Sequence, residues 1–254
     1  FPDSMFMSPV NTPGAVGAPS ADPTGTPIQA TVQDGTASTV VSSADGEQLV
    51  KEAVESQSRN IVIKPEISGD VTKAQVSIPA STVNQIKSET DASLTVSAPM
   101  ADVTIPQAAL DTLGSTGGTI DVVTEQVDRA LVLTLTADGE KVENVPGGVT
   151  LTVPAEDAGP GTVAVLVHAD GTRETIRKSV AGDGKVSIPL SGSAAVEIVD
   201  NSKTFADVPP TSWAADAAAF VSARELFGGT GETTFSPDEP MSRGMLATVL
   251  YRLE

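Results

Sequence analysis

The chain has no cysteine, a single histidine and, between residues 7 and 204, no aromatic residue at all. Without cysteine there is no thiol nucleophile, no cysteine-based zinc or iron–sulfur site and no disulfide staple. A lone histidine, His168, beside the Asp170-Gly171 pair, makes neither a metal-ligand set nor a nucleophile–base pair, and reads as a strand-end residue. Basic residues are also scarce. Fifteen Lys and Arg face 33 Asp and Glu, for a net charge of −18, which argues against nucleic acid and against anionic membrane surfaces as partners. No apolar run reaches the length needed to cross a bilayer, so no membrane insertion is expected. A Leu-Pro-x-Thr-Gly signal, an Asn-x-Ser/Thr acceptor and a basic-then-apolar leader are all missing from the sequence. A chain opening on Phe1 rather than Met reads as one that has lost a signal, or as an excised fragment.

The remaining motifs that invite a catalytic reading have simpler ones. Gly228-Gly-Thr-Gly231 lacks the Lys-Ser/Thr of a phosphate loop and a preceding buried strand, and is a turn. Glu156-Asp157 and Asp238-Glu239 match no EF-hand spacing. In a chain with 33 carboxylates they are solvated charge. The reading is a protein that is not an enzyme, with no cofactor and no metal.

What is present divides the chain into four parts. Residues 1–27 are rich in Pro, Gly, Ala, Ser and Thr and read as an extended arm, with Phe1, Met5, Phe6 and Met7 as an apolar cluster suited to an assembly contact. Residues 28–128 read as an α+β domain. Strands such as Asn60–Lys64, Gln75–Ile78 and Ser93–Ser97 alternate with helical spacing at Leu49, Val50, Ala53 and Val54. Val76-Ser-Ile-Pro79 before Ser81–Ile86, and Val103-Thr-Ile-Pro106 before Gln107–Leu113, look like a duplicated strand–helix unit over residues 70–115. In both, a proline ends the strand and starts the helix. Residues 129–200 read as an antiparallel β-hairpin domain, a sandwich or barrel. Asp-Gly pairs at 138–139, 170–171 and 183–184 are placed for type I′ turns. The fold class is therefore mainly β with α, followed by a small helical module over residues 201–254.

That module holds the last six aromatics: Phe205, Trp213, Phe220, Phe227, Phe235 and Tyr251. Thr211 or Ser212 is placed to cap a helix burying Trp213, Ala217, Phe220 and Val221, with Leu226 and Phe227 at its end. Gly228, Gly229 and Gly231 stop it. Ser242 caps a second helix with Met245, Leu246, Val249, Leu250 and Leu253 on one stripe, so the pair should bury its aromatics between them.

Phe205-x-Asp207-Val208, Trp213-Ala214, the glycine-rich loop, Phe235-x-Pro237 and Ser242-Arg243 together resemble an S-layer homology repeat, over nearly all of one repeat. The upstream segment from Gly161–His168 to Asp200-Asn201-Ser202 is similar to the β-rich region preceding such repeats in secreted proteins of anaerobic Firmicutes. The resemblance implies an extracellular, non-catalytic surface-layer or cell-wall structural protein of a Gram-positive bacterium, held non-covalently on secondary cell-wall polysaccharide. Carried over by motif position, the glycan-binding residues are Arg243, Asp207 and Trp213. Gly244-Met245 stands where the family motif has Ala-Glu, and one repeat is present where several are usual. An alternative is a self-assembling fibre or lattice subunit, its partners other copies of itself, with the N-terminal arm docking into a neighbour. A second is a carbohydrate-binding adhesive module, against which stands the missing aromatic platform of residues 7–204.

Overall fold

The computed structural model describes residues 26–253; Phe1, Met5, Phe6 and Met7 lie outside them. The chain enters through β1 (Thr26–Gln29) and β2 (Thr31–Gln33), then turns into β3 (Thr36–Val40). Three strand–helix–strand passages follow. The first is β3, α1 (Ser43–Ser56) and β4 (Asn60–Glu66); the second is β5 (Lys73–Pro79), α2 (Ala80–Glu89) and β6 (Ser93–Ser97). The third is β7 (Asp102–Ile105), α3 (Gln107–Gly114) and β8 (Thr119–Val127). Next come β9 (Ala130–Ala137), β10 (Glu140–Lys141), β11 (Val149–Pro154) and β12 (Thr162–Val167). The body ends with β13 (Arg173–Ile176), β14 (Val180–Gly182), β15 (Lys185–Leu190) and β16 (Ala194–Asp200). Two helices complete the chain, α4 (Ala215–Ala223) and α5 (Arg243–Leu253).

The strands form two mixed sheets. One runs β1-β4-β6-β7-β11-β15-β14 and the other β13-β12-β16-β9-β8-β5-β3-β2, with β10 added to β9. Each helical passage carries the chain from one sheet to the other. The first two do so in the same sense, so β3 lies parallel to β5 and β4 parallel to β6. The structural duplication is therefore β3-α1-β4 with β5-α2-β6. The strand–helix pair read from residues 70–115 has both its elements, but β5 and β7 fall in different sheets.

Local chemistry explains the element ends. Ser42 Oγ accepts from the Asp45 N–H and the Asp45 carboxylate accepts from the Ser42 N–H, a capping box at the start of α1. Pro79 and Pro106 stand at the N-caps of α2 and α3, where a missing N–H does no harm. Gly46 of α1 sits where a Cβ would lie 2.3 Å from Thr82 Oγ1 of α2; only glycine allows that approach. Two of the three Asp-Gly pairs adopt the expected conformation, with φ of 53° and 80° at Asp138-Gly139 and 51° and 70° at Asp183-Gly184. At Asp170-Gly171 only the glycine is left-handed. There a longer loop closes through the His168 N–H on the Thr172 carbonyl and the Thr172 N–H on Asp170 Oδ1.

Residue 128 is a hairpin turn rather than a division between cores. β8 and β9 pair from Ile120↔Ala137 to Val127↔Ala130, and β7 pairs with β11 across a long sequence gap. A single aliphatic core includes Ile63, Leu94 and Ile105 from the earlier strands with Leu135, Leu151 and Ile188 from the later ones. α1, α2 and α3 add Leu49, Ile86 and Leu110 to it. Rows of Val, Ile and Leu fill the space between two sheet faces without rings, because branched side chains stand well on a pleated surface.

Candidate functional site

The C-terminal module is built around an aromatic cluster supplied mostly by loops. Phe235 meets Phe205 edge-on at 5.1 Å between ring centroids and Phe227 at 5.3 Å. Phe205, Val208, Ala214 and Ala218 form the small buried core beneath. Asp207 fixes the loop that delivers Phe235. Its Oδ1 accepts from the Phe235 N–H at 2.9 Å and its Oδ2 from the Ser236 N–H at 2.7 Å. Those two donors hold its carboxyl below the ordinary carboxylate range. Gly229, at φ 90°, could carry no Cβ: the atom would lie 2.4 Å from the Thr234 carbonyl oxygen.

Because the folded-state pKa of Asp207 is depressed, its contribution is present above the unfolded carboxylate pKa and is lost as pH falls through the lower folded value. Asp207→Ala is therefore expected to abolish the slow amide exchange of Phe235 and Ser236. In the unsubstituted protein the same two amides should lose protection on acidification below about pH 4. Retained protection in the variant would show that the loop is held by other contacts.

The first helix of the module begins later than its sequence suggests, and this changes its face. α4 starts at Ala215, after the cap residue Ala214, and buries Ala218, Ser222 and Ala223. Trp213 precedes it and is 77 % exposed, whereas the sequence placed it in the core. Ala217 is likewise exposed, and Phe220 and Val221 are only half-buried. The helix also ends before the glycines: Glu225 takes a left-handed conformation at φ 56°, and the Leu226 and Phe227 N–H groups both return to the Val221 carbonyl.

Arg224, which sequence reasoning passed over, is the largest fully buried side chain among the described residues, at 0 % exposure. Among the described residues its guanidinium has no carboxylate partner and bonds carbonyls instead. Nε donates to Ser179 at 2.9 Å, Nη1 to Pro160 at 3.0 Å and to Phe220 at 3.3 Å, and Nη2 to Thr162 at 3.1 Å. The group also lies 3.7 Å from the Phe220 ring centroid. Burial pulls its pKa down, yet a guanidinium stays charged. Three of the four acceptors belong to the body, around β12 and the β13–β14 turn. Asn201 Nδ2 adds a bond to the Ala223 carbonyl at 2.8 Å. The end of α4, where helix carbonyls and the dipole favour a cation, is thereby locked against β12.

Ser242 caps α5 as expected, accepting from the Met245 N–H at 3.2 Å. Arg243 is the first residue of that helix, exposed and without an ion pair among the described residues. The apolar stripe of α5 departs from expectation. The helix buries no residue; Leu246 is 49 % and Leu250 57 % exposed, with Tyr251 at 81 %. The two helices of the module thus do not enclose its aromatics. No hydrogen bond or ion pair joins Arg243 to Asp207 or Trp213 among the described residues. Asp207 is engaged in the loop, whereas Trp213 and Arg243 stand in solvent. Among the described residues no group of three or more His, Cys, Asp or Glu is placed to hold a metal ion.

Residues 204–244 match the S-layer homology domain family. A stretch of 53 residues, 21 % of the chain, is 42 % identical to a cellulosome-anchoring protein of Acetivibrio thermocellus. That stretch spans 12 % of the length of this relative. No solved structure matches the chain.

Proposed function

We propose that the chain is a non-catalytic, cell-surface structural protein whose C-terminal module binds secondary cell-wall polysaccharide. The observation that carries this reading is the S-layer homology match over residues 204–244, and it is supported by the similarity to a cellulosome-anchoring protein. Arg243 is the principal ligand contact. It offers a free planar fork at a helix N-terminus, where backbone N–H groups and the helix dipole also favour an anion. Trp213 presents an open ring on which a sugar can stack. Asp207 acts as a positioning residue through the loop it clamps. Pull-down with purified cell-wall polymer tests this: Arg243→Ala should weaken binding about tenfold or more, equivalent to about 1.4 kcal/mol. Undiminished binding would remove Arg243 from the site.

A second reading, self-association, is favoured by the uncovered stripe of α5 at Leu246, Leu250 and Leu253. Exposed apolar surface of this kind is characteristic of an interface. Leu246→Lys with Leu250→Lys should abolish concentration-dependent association in sedimentation velocity if α5 is the contact. Deletion of residues 1–27 separates an α5 contact from an arm-mediated one, since only the latter is lost with the arm.

A further inference from the structure

A cavity of about 460 Å³ opens where the last turn of α5 meets the body, bordered by β13, β15 and the β10–β11 loop. Its volume lies within the range of small-molecule sites. Three cations line it: Arg177 and Lys178 from the β13–β14 turn, and Arg252 of α5. Among the described residues the only carboxylate on the wall is Glu174. In a chain where acids outnumber bases 33 to 15, this cavity reverses the ratio.

These charges are poorly compensated. Glu174 faces His168 at 3.5 Å. Arg177 reaches Glu225 only at 3.7 Å, and its Nε–H, shut away from solvent, has no hydrogen-bond partner. A buried donor left unmatched carries a desolvation cost that an acceptor would relieve. Lys178 and Arg252 form no ion pair among the described residues, and Arg252 Nη1 is tied to the Leu226 carbonyl at 3.2 Å. Val145, Leu166, Ile176, Leu190 and Leu253 supply apolar wall between the charges.

We propose that this cavity binds a sugar-sized organic anion bearing a carboxylate or a phosphate. The guanidinium groups match the planar or tripodal oxygens of such a group, the ammonium adds a point charge, and the apolar wall takes the carbon skeleton. The site uses residues of α5 and of the body together, so it exists only while the module stays in place against the body. It uses neither Arg243 nor Trp213, and so stands apart from the wall-polymer contact proposed above.

Titration of the full chain with galacturonate, glycerol phosphate and neutral galactose, followed by amide NMR shifts at Gly148, Thr175 and Leu253, tests the assignment. Saturable shifts are expected with at least one of the two anions and none with galactose; which anion binds distinguishes carboxylate from phosphate. Lys178→Ala with Arg252→Ala should weaken binding at least tenfold, Lys178→Gln alone by a smaller factor, and the distant control Lys64→Ala not at all. The Lys178→Gln variant keeps the test open should the double variant fail to fold. Arg243→Ala should leave these shifts unchanged, so loss of wall binding and loss of this site read separately. The proposal is overturned if neither anion produces saturable shifts, or if the lysine and arginine substitutions leave the affinity unchanged.

Discussion

Arg224→Ala is expected to lower the stability of the protein by about 3 kcal/mol or more and to free the C-terminal module from the body. The substitution leaves the carbonyls of Ser179, Pro160 and Thr162 without the donors that now reach them. Each buried, unsatisfied polar group costs about 1–3 kcal/mol, and hydrogen bonds to a charged partner stand at the upper end of the range. It also empties the space over the Phe220 ring. Differential scanning calorimetry should show one transition for the unsubstituted protein and, for the variant, a separate earlier one from the module. Arg224→Lys should recover only part of the loss, because an ammonium cannot span carbonyls on three segments with a fixed fork. A loss below about 1 kcal/mol would mean that the remaining contacts, Asn201 with Ala223 and Thr175 and Arg177 with Glu225 among them, hold the module without it.

Leu151→Ala is expected to destabilise the body by about 3–5 kcal/mol, the range for emptying a well-packed leucine site. Leu151 is fully buried and sits in β11, which bonds β7 on one side and β15 on the other. Because the two sheets share one core, protection should fall together in β5, which precedes residue 128, and in β12, which follows it. Amide exchange under mild denaturant gives the answer. If only strands after residue 128 lose protection, the core is two units after all.

Much of the architecture was legible because period and punctuation are local properties. Alternation in Leu131–Thr136 and the Asp138-Gly139 and Asp183-Gly184 turns identified strands and hairpins directly. The prolines at 79 and 106 marked where strands gave way to helices. Partner choice was not legible. Alternation places Val103 and Leu151 on buried faces, yet nothing in either run says that they are neighbours in one sheet. The supposed boundary at residue 128 arose from a change in composition, where helices end and hairpins begin, and composition does not report which strands share a core.

In the module, the sequence carries the order of the motif residues but not the surroundings of Trp213 and Arg224. A one-residue offset decides Trp213. The helix starts at Ala215 after its cap Ala214 and turns Ala218 and Ser222 inward, so Trp213 stands in the turn before it, in solvent. Arg224 carried no distinguishing signal, because a cation at a helix end usually faces water. Only the fold brings the Ser179, Pro160 and Thr162 carbonyls around it. The exposed stripe of α5 has the same lesson in reverse: apolar spacing shows that a face can be buried, not what buries it.

Whether the C-terminal module holds the chain on cell-wall polysaccharide is decided by co-sedimentation with purified walls. Walls are prepared in two forms, one retaining secondary polysaccharide and one stripped of it by acid. The full chain is expected to sediment with the intact walls, to remain in the supernatant with the stripped ones, and to lose most of its binding as Arg243→Ala. Equal sedimentation with both forms, or with neither, would show that the module does not hold the chain on that polysaccharide.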